Sequence, residues 1–451
     1  MTLQTCLLAT LFFCVTVATH PARAAGLADD PGLSIAVKDA LAARPELARD
    51  TAAVRADATL AAQSLALPDP VLSVSYQNES FNRIQPGKLL DSYPTIMLEQ
   101  TLPSAGTRSL REEQAGWVLS ASQAVLERTR LTVVADVQRA WVDLLLARAR
   151  LGLQARSEAL WADAESAVRS RYEAGQAPQS DLIRAQLQRT RLQQRRHALQ
   201  ADEHLAISAL NRLTGRAPTA LIDTPVALSS WSDPTVPGLD AALADAVARS
   251  PELRAAGALS GAAATRVSLT EKGRFPDLTL SAGVMPRWGD FSPMWQLGLS
   301  TTLPVWSALR QAPAVDEATA RQTANVAEEA AIRALLEQRV ADRVALLGSA
   351  NAVNQLYRTD LLVQSESALG SALAQYKVGA VPFGAMLDAG AGFLSDQDAY
   401  LGSVAQAWKL SIELAEVRLD PATGASASAG FGPSSATNRN TGGSAGGSSG
   451  M

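Results

Sequence analysis

The feature that most constrains this chain is a proline-free run from Ser104 to Gly175 in which apolar residues recur three or four apart: Leu131, Val134, Val137, Trp141, Leu145, Ala149 and Leu153. That spacing lays an apolar stripe along one face of an α-helix. A helix of about seventy residues, at ~1.5 Å rise per residue, reaches ~105 Å, several times the usual helix length. Its end is predicted at Arg171-Tyr172-Glu173-Ala174-Gly175, where glycine takes the left-handed conformation of a C-cap and Pro178 suits the first turn of a returning helix. A second pattern of the same kind starts at about Gln311, with Pro313 in its first turn, and runs to Gln375-Tyr376-Lys377-Val378-Gly379, with Pro382 beyond it. Two such hairpins are too long for an ordinary globule, so the chain is expected to build something elongated.

The two hairpins belong to a duplication. Arg44-Pro45-Glu46-Leu47 is echoed by Ser250-Pro251-Glu252-Leu253, and Pro68-Asp69 by Pro276-Asp277. Leu98-Glu99-Gln100-Thr101-Leu102-Pro103 is echoed by Leu299-Ser300-Thr301-Thr302-Leu303-Pro304, and Tyr172-Glu173-Ala174-Gly175 by Tyr376-Lys377-Val378-Gly379. Four landmarks recurring in one order at an offset of about two hundred residues mark a tandem repeat. The expected division is a first repeat over 25–216, a linker rich in proline, aspartate and serine over 217–238, and a second repeat over 239–421.

In the first repeat, Ser34 to Ala43 reads as a short helix with Ser34 as N-cap, and Pro45 opens another that continues to about Leu67. Val71 to Tyr76 and Pro94 to Leu102 then alternate with period two, as strands facing two environments do. Ser104 is the N-cap candidate of the long helix, and Gln179 to Leu213 is the returning one. Strands are expected at about 71–77 and 94–102, and again at about 277–285 and 294–303, with hairpin tips near Gly175 and Gly379.

The first two dozen residues read as a secretory signal over 1–24, with an apolar run from Leu7 to Ala18 and an Ala-x-Ala site at Ala22-Arg23-Ala24. Both cysteines, Cys6 and Cys14, fall inside it, so an exported, disulfide-free chain is expected. No later run is apolar over the ~20 residues that a membrane helix needs, so any membrane crossing must use strands. From 422 to 451 the sequence is glycine, serine and alanine without periodicity, read as a disordered tail. A net charge of −4 without a basic cluster gives no support to nucleic-acid binding. Nothing looks enzymatic: no phosphate loop or nucleophile motif stands out, and no cofactor is expected. His197 and His204 lie seven apart on one helix with no cysteine to help, a poor metal pair and a better fit to exposed polar positions.

Four strands cannot close a barrel, and open edges in lipid leave backbone amides unpaired at several kcal/mol each. Two copies give eight strands and an interior filled by side chains; three give twelve and room for an aqueous lumen. Strand counting leaves both open. Tyr76, Phe81, Tyr93, Trp288, Phe291 and Trp295 cluster at strand ends and in adjoining loops, where an interfacial girdle sits. A half-buried soluble sheet with aromatics in its core accounts for the same pattern.

With the Pro-Glu-Leu helices, the Leu-Pro strand exits, the Tyr-x-x-Gly turns followed by Asp181 or Leu387-Asp388, and the duplication, the chain up to about Leu419 resembles the TolC-type outer-membrane efflux proteins. The resemblance implies a mainly α fold with a β-barrel portion: a homotrimer with a twelve-stranded barrel in outer-membrane lipid and a twelve-helix tunnel through the periplasm. Its closed tip docks on a periplasmic adaptor fed by an inner-membrane pump. The second strand pair, from Phe275-Pro276-Asp277-Leu278 through Trp295 to Leu303-Pro304-Val305-Trp306, looks like the branch that exports heavy-metal cations. Drug efflux or type I protein secretion is the neighbouring alternative, and a periplasmic coiled-coil scaffold without a pore is the alternative of a different class.

By resemblance, Tyr172, Gly175, Asp181, Tyr376 and Gly379 mark the tips that meet the adaptor, although tyrosine under a glycine C-cap is also ordinary hairpin chemistry. Asp388 matches a position where three acidic side chains ring the constriction, which in a narrow neck attracts cations. A solvated carboxylate on a helix surface is the plainer reading of Asp388. The family's second acidic position is Ala385 here and its basic gate position Val381, so closure is expected to be mostly apolar, through Val381, Phe383 and Met386.

Overall fold

Each long hairpin forms because its sequence sustains helical spacing and then supplies a glycine where the chain must turn. In the computed structural model, residues 27, 30–79, 81–84 and 89–419 are described; the expected signal over 1–24, with Cys6 and Cys14, and the tail over 422–451 lie outside them. All the helices and strands belong to the unit that ends at Arg418.

The first repeat holds α1 (Pro31–Ala43), α2 (Pro45–Ser64), β1 (Val71–Gln77), β2 (Tyr93–Leu102), α3 (Thr107–Glu173) and α4 (Gln179–Thr214). The second holds α5 (Leu239–Arg249), α6 (Pro251–Lys272), β3 (Leu278–Met285), β4 (Met294–Thr301), α7 (Gln311–Leu356), α8 (Leu362–Lys377) and α9 (Phe383–Glu416). At 67 residues, α3 spans ~100 Å. Its counterpart is equally long but carries a π turn at Tyr357–Leu361, with right-handed helical backbone through both junctions, so α7 and α8 are one helix with a bulge. The linker braces this point. Asp233 accepts from Asn354 at 3.1 Å and from Arg358, and the Pro234 carbonyl accepts from Asn351 at 2.7 Å.

Two helix starts differ from the sequence reading. Asp30 caps α1, its carboxylate accepting from the amides of Gly32 at 2.9 Å and Leu33 at 3.4 Å, while the Ser34 hydroxyl donates to the Pro31 carbonyl. A carboxylate at this end also complements the helix dipole. The N-cap of α3 is Gly106 at φ 84°, not Ser104, whose hydroxyl bonds to that of Thr107 at 2.7 Å. Because the chain must bend sharply from β2 into α3, a residue free to adopt positive φ is needed there.

Along α3, tryptophans sit over glycines of neighbouring helices. A Cβ at Gly32 would lie 2.6 Å from Trp141, one at Gly261 2.8 Å from Trp117, and one at Gly390 2.6 Å from Trp161. Small residues let the backbones approach, and each indole fills the space that results. Trp141 also donates from Nε1 to Asp30 at 2.9 Å, so the capping residue of α1 pins that helix to α3. Farther along the chain, the buried carboxylate of Glu416 accepts from Arg139 at 2.6 Å and ties the end of α9 to the same helix.

Candidate functional site: the sheet and the hairpin tips

The four strands form one antiparallel sheet in the order β1-β2-β3-β4, so β2 against β3 joins the repeats and β1 and β4 are left as edges. Register divides the side chains into a mostly apolar face, with Gln100 and Thr301 its polar members, and a mostly polar one. Leu72↔Leu98↔Ala282↔Leu297 and Val74↔Ile96↔Val284↔Trp295 are rungs of one face; Leu280 and Leu299 pair on it as well. The other face carries Ser73, Ser75 and Gln77 of β1, Thr95, Glu99 and Thr101 of β2, Thr279, Ser281 and Gly283 of β3, and Gln296, Gly298 and Ser300 of β4. Val71, Met97, Met285 and Met294 are interspersed there.

The apolar face is not covered by any other part of the described chain: Leu72, Val74, Leu98, Val284, Trp295, Leu297 and Leu299 are all exposed. A contiguous exposed apolar surface together with two unpaired sheet edges has no place in a water-soluble monomer. Both features are resolved if the apolar face meets lipid and each edge pairs with another copy of the chain. Among the described residues no helix is long and apolar enough to cross a membrane, which leaves this sheet as the element suited to it.

The aromatic girdle is only partly as expected. Tyr76 and Trp295 lie on the apolar face near the loop end of the sheet, and Trp288 and Phe81 are exposed in the adjoining loops. Tyr93 belongs to the polar face, where the Arg287 guanidinium lies 4.9 Å from its ring centroid. Phe275 and Trp306, absent from the expected cluster, are exposed at the helix end of the sheet.

At the other end of the molecule's long helices, both tips have the same backbone. Gly175 at φ 71° donates to the Tyr172 carbonyl while Gln176 donates to that of Arg171; Gly379 at φ 77° donates to the Tyr376 carbonyl while Ala380 donates to that of Gln375. The tyrosines differ despite this. Tyr172 is 40% exposed and Tyr376 only 2%. Tyr376 packs against Phe383 with ring centroids 5.4 Å apart, and Arg171 of the first tip covers it, donating to the Tyr376 and Gln176 carbonyls and lying 4.8 Å over the Tyr376 ring. Burial pushes the Tyr376 phenol above its ordinary value, half-buried Asp181 adds to the rise, and Arg171 opposes it.

Two of the expected gate side chains face inward. Phe383 and Met386 are buried with Trp161, Val168 and Tyr376 in the protomer's own core, Phe383 meeting Trp161 edge-on at 6.5 Å. As core members they cannot line a constriction. Val381 is half-buried against the same cluster, whereas Asp388 is exposed. The sequence reading missed Arg171, which stands beside Tyr172 in the first tip motif but whose partner lies in the other hairpin. His197 and His204 are exposed, and no group of side chains suited to a metal ion occurs among the described residues.

Residues 242–425 match the family described as outer membrane efflux protein. The match takes in the second repeat, and the chain is similar to that family there. No curated protein matches it at the sequence level. The outer membrane protein VceC of Vibrio cholerae superposes with a TM-score of 0.73 at 19% identity, covering 86% of this chain and 96% of that one. The open-state outer membrane channel MtrE of Neisseria gonorrhoeae gives 0.71 at 19% identity, over 86% of this chain and 89% of its own. CusC, described in terms of transmembrane channel formation, gives 0.74 at 19% identity, over 88% and 95%. At such identity these likenesses show the fold: long helices that form a tunnel wall, joined to a portion of a β-barrel. The chain thus carries, in each repeat, two strands of one sheet and a helical hairpin with a shared tip geometry.

Proposed function

We propose that this protein is a passive efflux duct of the outer membrane, a homotrimer whose twelve strands close one barrel and whose helices continue it into the periplasm. The observation that carries the proposal is the two-faced sheet with both edges open, which suits a lipid-facing outside, a watery inside and identical neighbours at each edge. A scaffold without a pore has no use for such a sheet. The helical tips, built on Gly175 and Gly379 with Tyr172 exposed and Asp181 half-buried, are the part that docks on a periplasmic adaptor and, through it, on an inner-membrane pump. The chain performs no chemistry; it is opened by its partners.

Metal cations are the proposed cargo. Exposed Asp388 near the tip and a polar sheet face without lysine or arginine among its strand residues support passage of positive charge. The test is deletion of the gene followed by growth in zinc, cobalt, cadmium, copper and silver alongside dyes and antibiotics. Sensitivity confined to metals is expected. Loss of drug resistance with unchanged metal tolerance would refute the metal reading and move the cargo to the drug-efflux alternative.

A further inference from the structure

The polar face of the sheet is uniform except at one point. Its strand residues are serine, threonine, glutamine, glycine, valine, methionine and tyrosine, and Glu99 is the single charged side chain among them. Register places Glu99 in the rung Val71↔Glu99↔Ser281↔Gly298, flanked along β2 by Met97 and Thr101. Every neighbour is small or flexible and none is basic. A Cβ at Gly298 would lie 2.5 Å from the Ser281 hydroxyl, so a larger residue there would have to turn that side chain aside. The rung therefore carries only small side chains on the Ser281–Gly298 side of the carboxylate. Glu99, between Val71 and Ser281, has no basic strand residue on its face to neutralise it.

We propose that Glu99 is a charge-selecting residue of the barrel lumen, and that its three copies in the assembly form a carboxylate level that favours cations, separate from Asp388 at the tip. This rests on the duct reading above. At the loop end, Arg287 is packed on Tyr93 of the same face. Six residues of strand separate Tyr93 from Glu99, ~20 Å at ~3.4 Å per residue, which is about two screening lengths at 0.1 M salt. Arg287 therefore leaves the field at the Glu99 level largely intact, and three like charges around one aqueous path bias which ions enter it.

The experiment is reversal-potential measurement on the full-length trimer in planar bilayers under a tenfold KCl gradient. Wild type is expected to prefer potassium over chloride. Glu99→Gln should lower the permeability ratio at least twofold, Glu99→Asp should keep most of it, and the difference between wild type and Glu99→Gln should shrink at 1 M salt. Conducting Glu99→Gln channels with the wild-type reversal potential would overturn the assignment while leaving the duct intact. A wild-type protein that inserts but does not conduct would overturn the duct reading, and this inference with it.

Discussion

Replacing Leu297 by arginine separates the membrane account from its rival more sharply than any other substitution. Leu297 is at the middle of β4, pairs with Ala282 on the apolar face and is 67% exposed. If that face were bathed in water, a charge at so exposed a position would change stability by no more than ~0.5 kcal/mol. If it meets hydrocarbon, arginine near the midplane costs ~2–4 kcal/mol in each protomer, or ~6–12 kcal/mol for a trimer. The neighbouring change Gln296→Arg supplies the control, because Gln296 pairs with Gly283 on the polar face. The assay is urea titration of the assembled protein in lipid vesicles, read by protease resistance. Leu297→Arg should lower the midpoint or abolish insertion, and Gln296→Arg should stay close to wild type. Equal behaviour of the two variants would refute the assignment of faces.

Three further outcomes are expected. Arg171→Ala removes a cationic donor from the Tyr376 and Gln176 carbonyls and a ring contact at 4.8 Å, together ~2–3 kcal/mol, so the tip should open more often and resting conductance in bilayers should rise; unchanged conductance would mean the contact does not hold the tip. Glu416→Ala leaves Arg139 without its buried partner and should destabilise the fold by ~3–5 kcal/mol, seen as a lower thermal midpoint in detergent, with a wild-type midpoint contradicting it. The Asp50 carboxylate is held below its ordinary 3.8, first by the Arg49 hydrogen bond, with burial opposing and the Thr129 hydroxyl at 2.5 Å helping. Because the folded value is the lower one, this stability is present above the unfolded value and is lost as pH falls through the folded one; Asp50→Asn should flatten the acid limb of the stability profile, and an unaltered limb would argue against it.

Much of the architecture was legible because it is local. Helical spacing along Ser104 to Gly175, glycine at 175 and 379, and the alternation of Val71 to Tyr76 each depend on neighbours in sequence, and the structure has helices, turns and strands there. What escaped depends on partners far away in the chain. That β2 pairs with β3, that Trp161 closes over Gly390, and that Arg171 reaches the opposite tip are facts about packing between repeats. Phe383 and Met386 illustrate the cost of position-by-position reasoning: apolar side chains after a turn suit a gate or a core equally, and only the presence of Trp161 and Tyr376 decides for the core. Glu99 was visible as part of a repeated motif, yet its isolation on the polar face emerges only from the register of all four strands.

The central claim is that three identical chains share one sheet, β4 of each pairing with β1 of the next. It is tested most directly by oxidative cross-linking of cysteines introduced singly and together on the two edges, at Ser73 or Ser75 of β1 and at Gln296 or Ser300 of β4, in the cysteine-free background Cys6→Ser/Cys14→Ser. The account predicts that an edge pair yields covalent dimers and trimers on denaturing gels, with the ladder ending at three, while single variants yield no trimer. Monomers throughout, or a ladder that climbs past three, would contradict it.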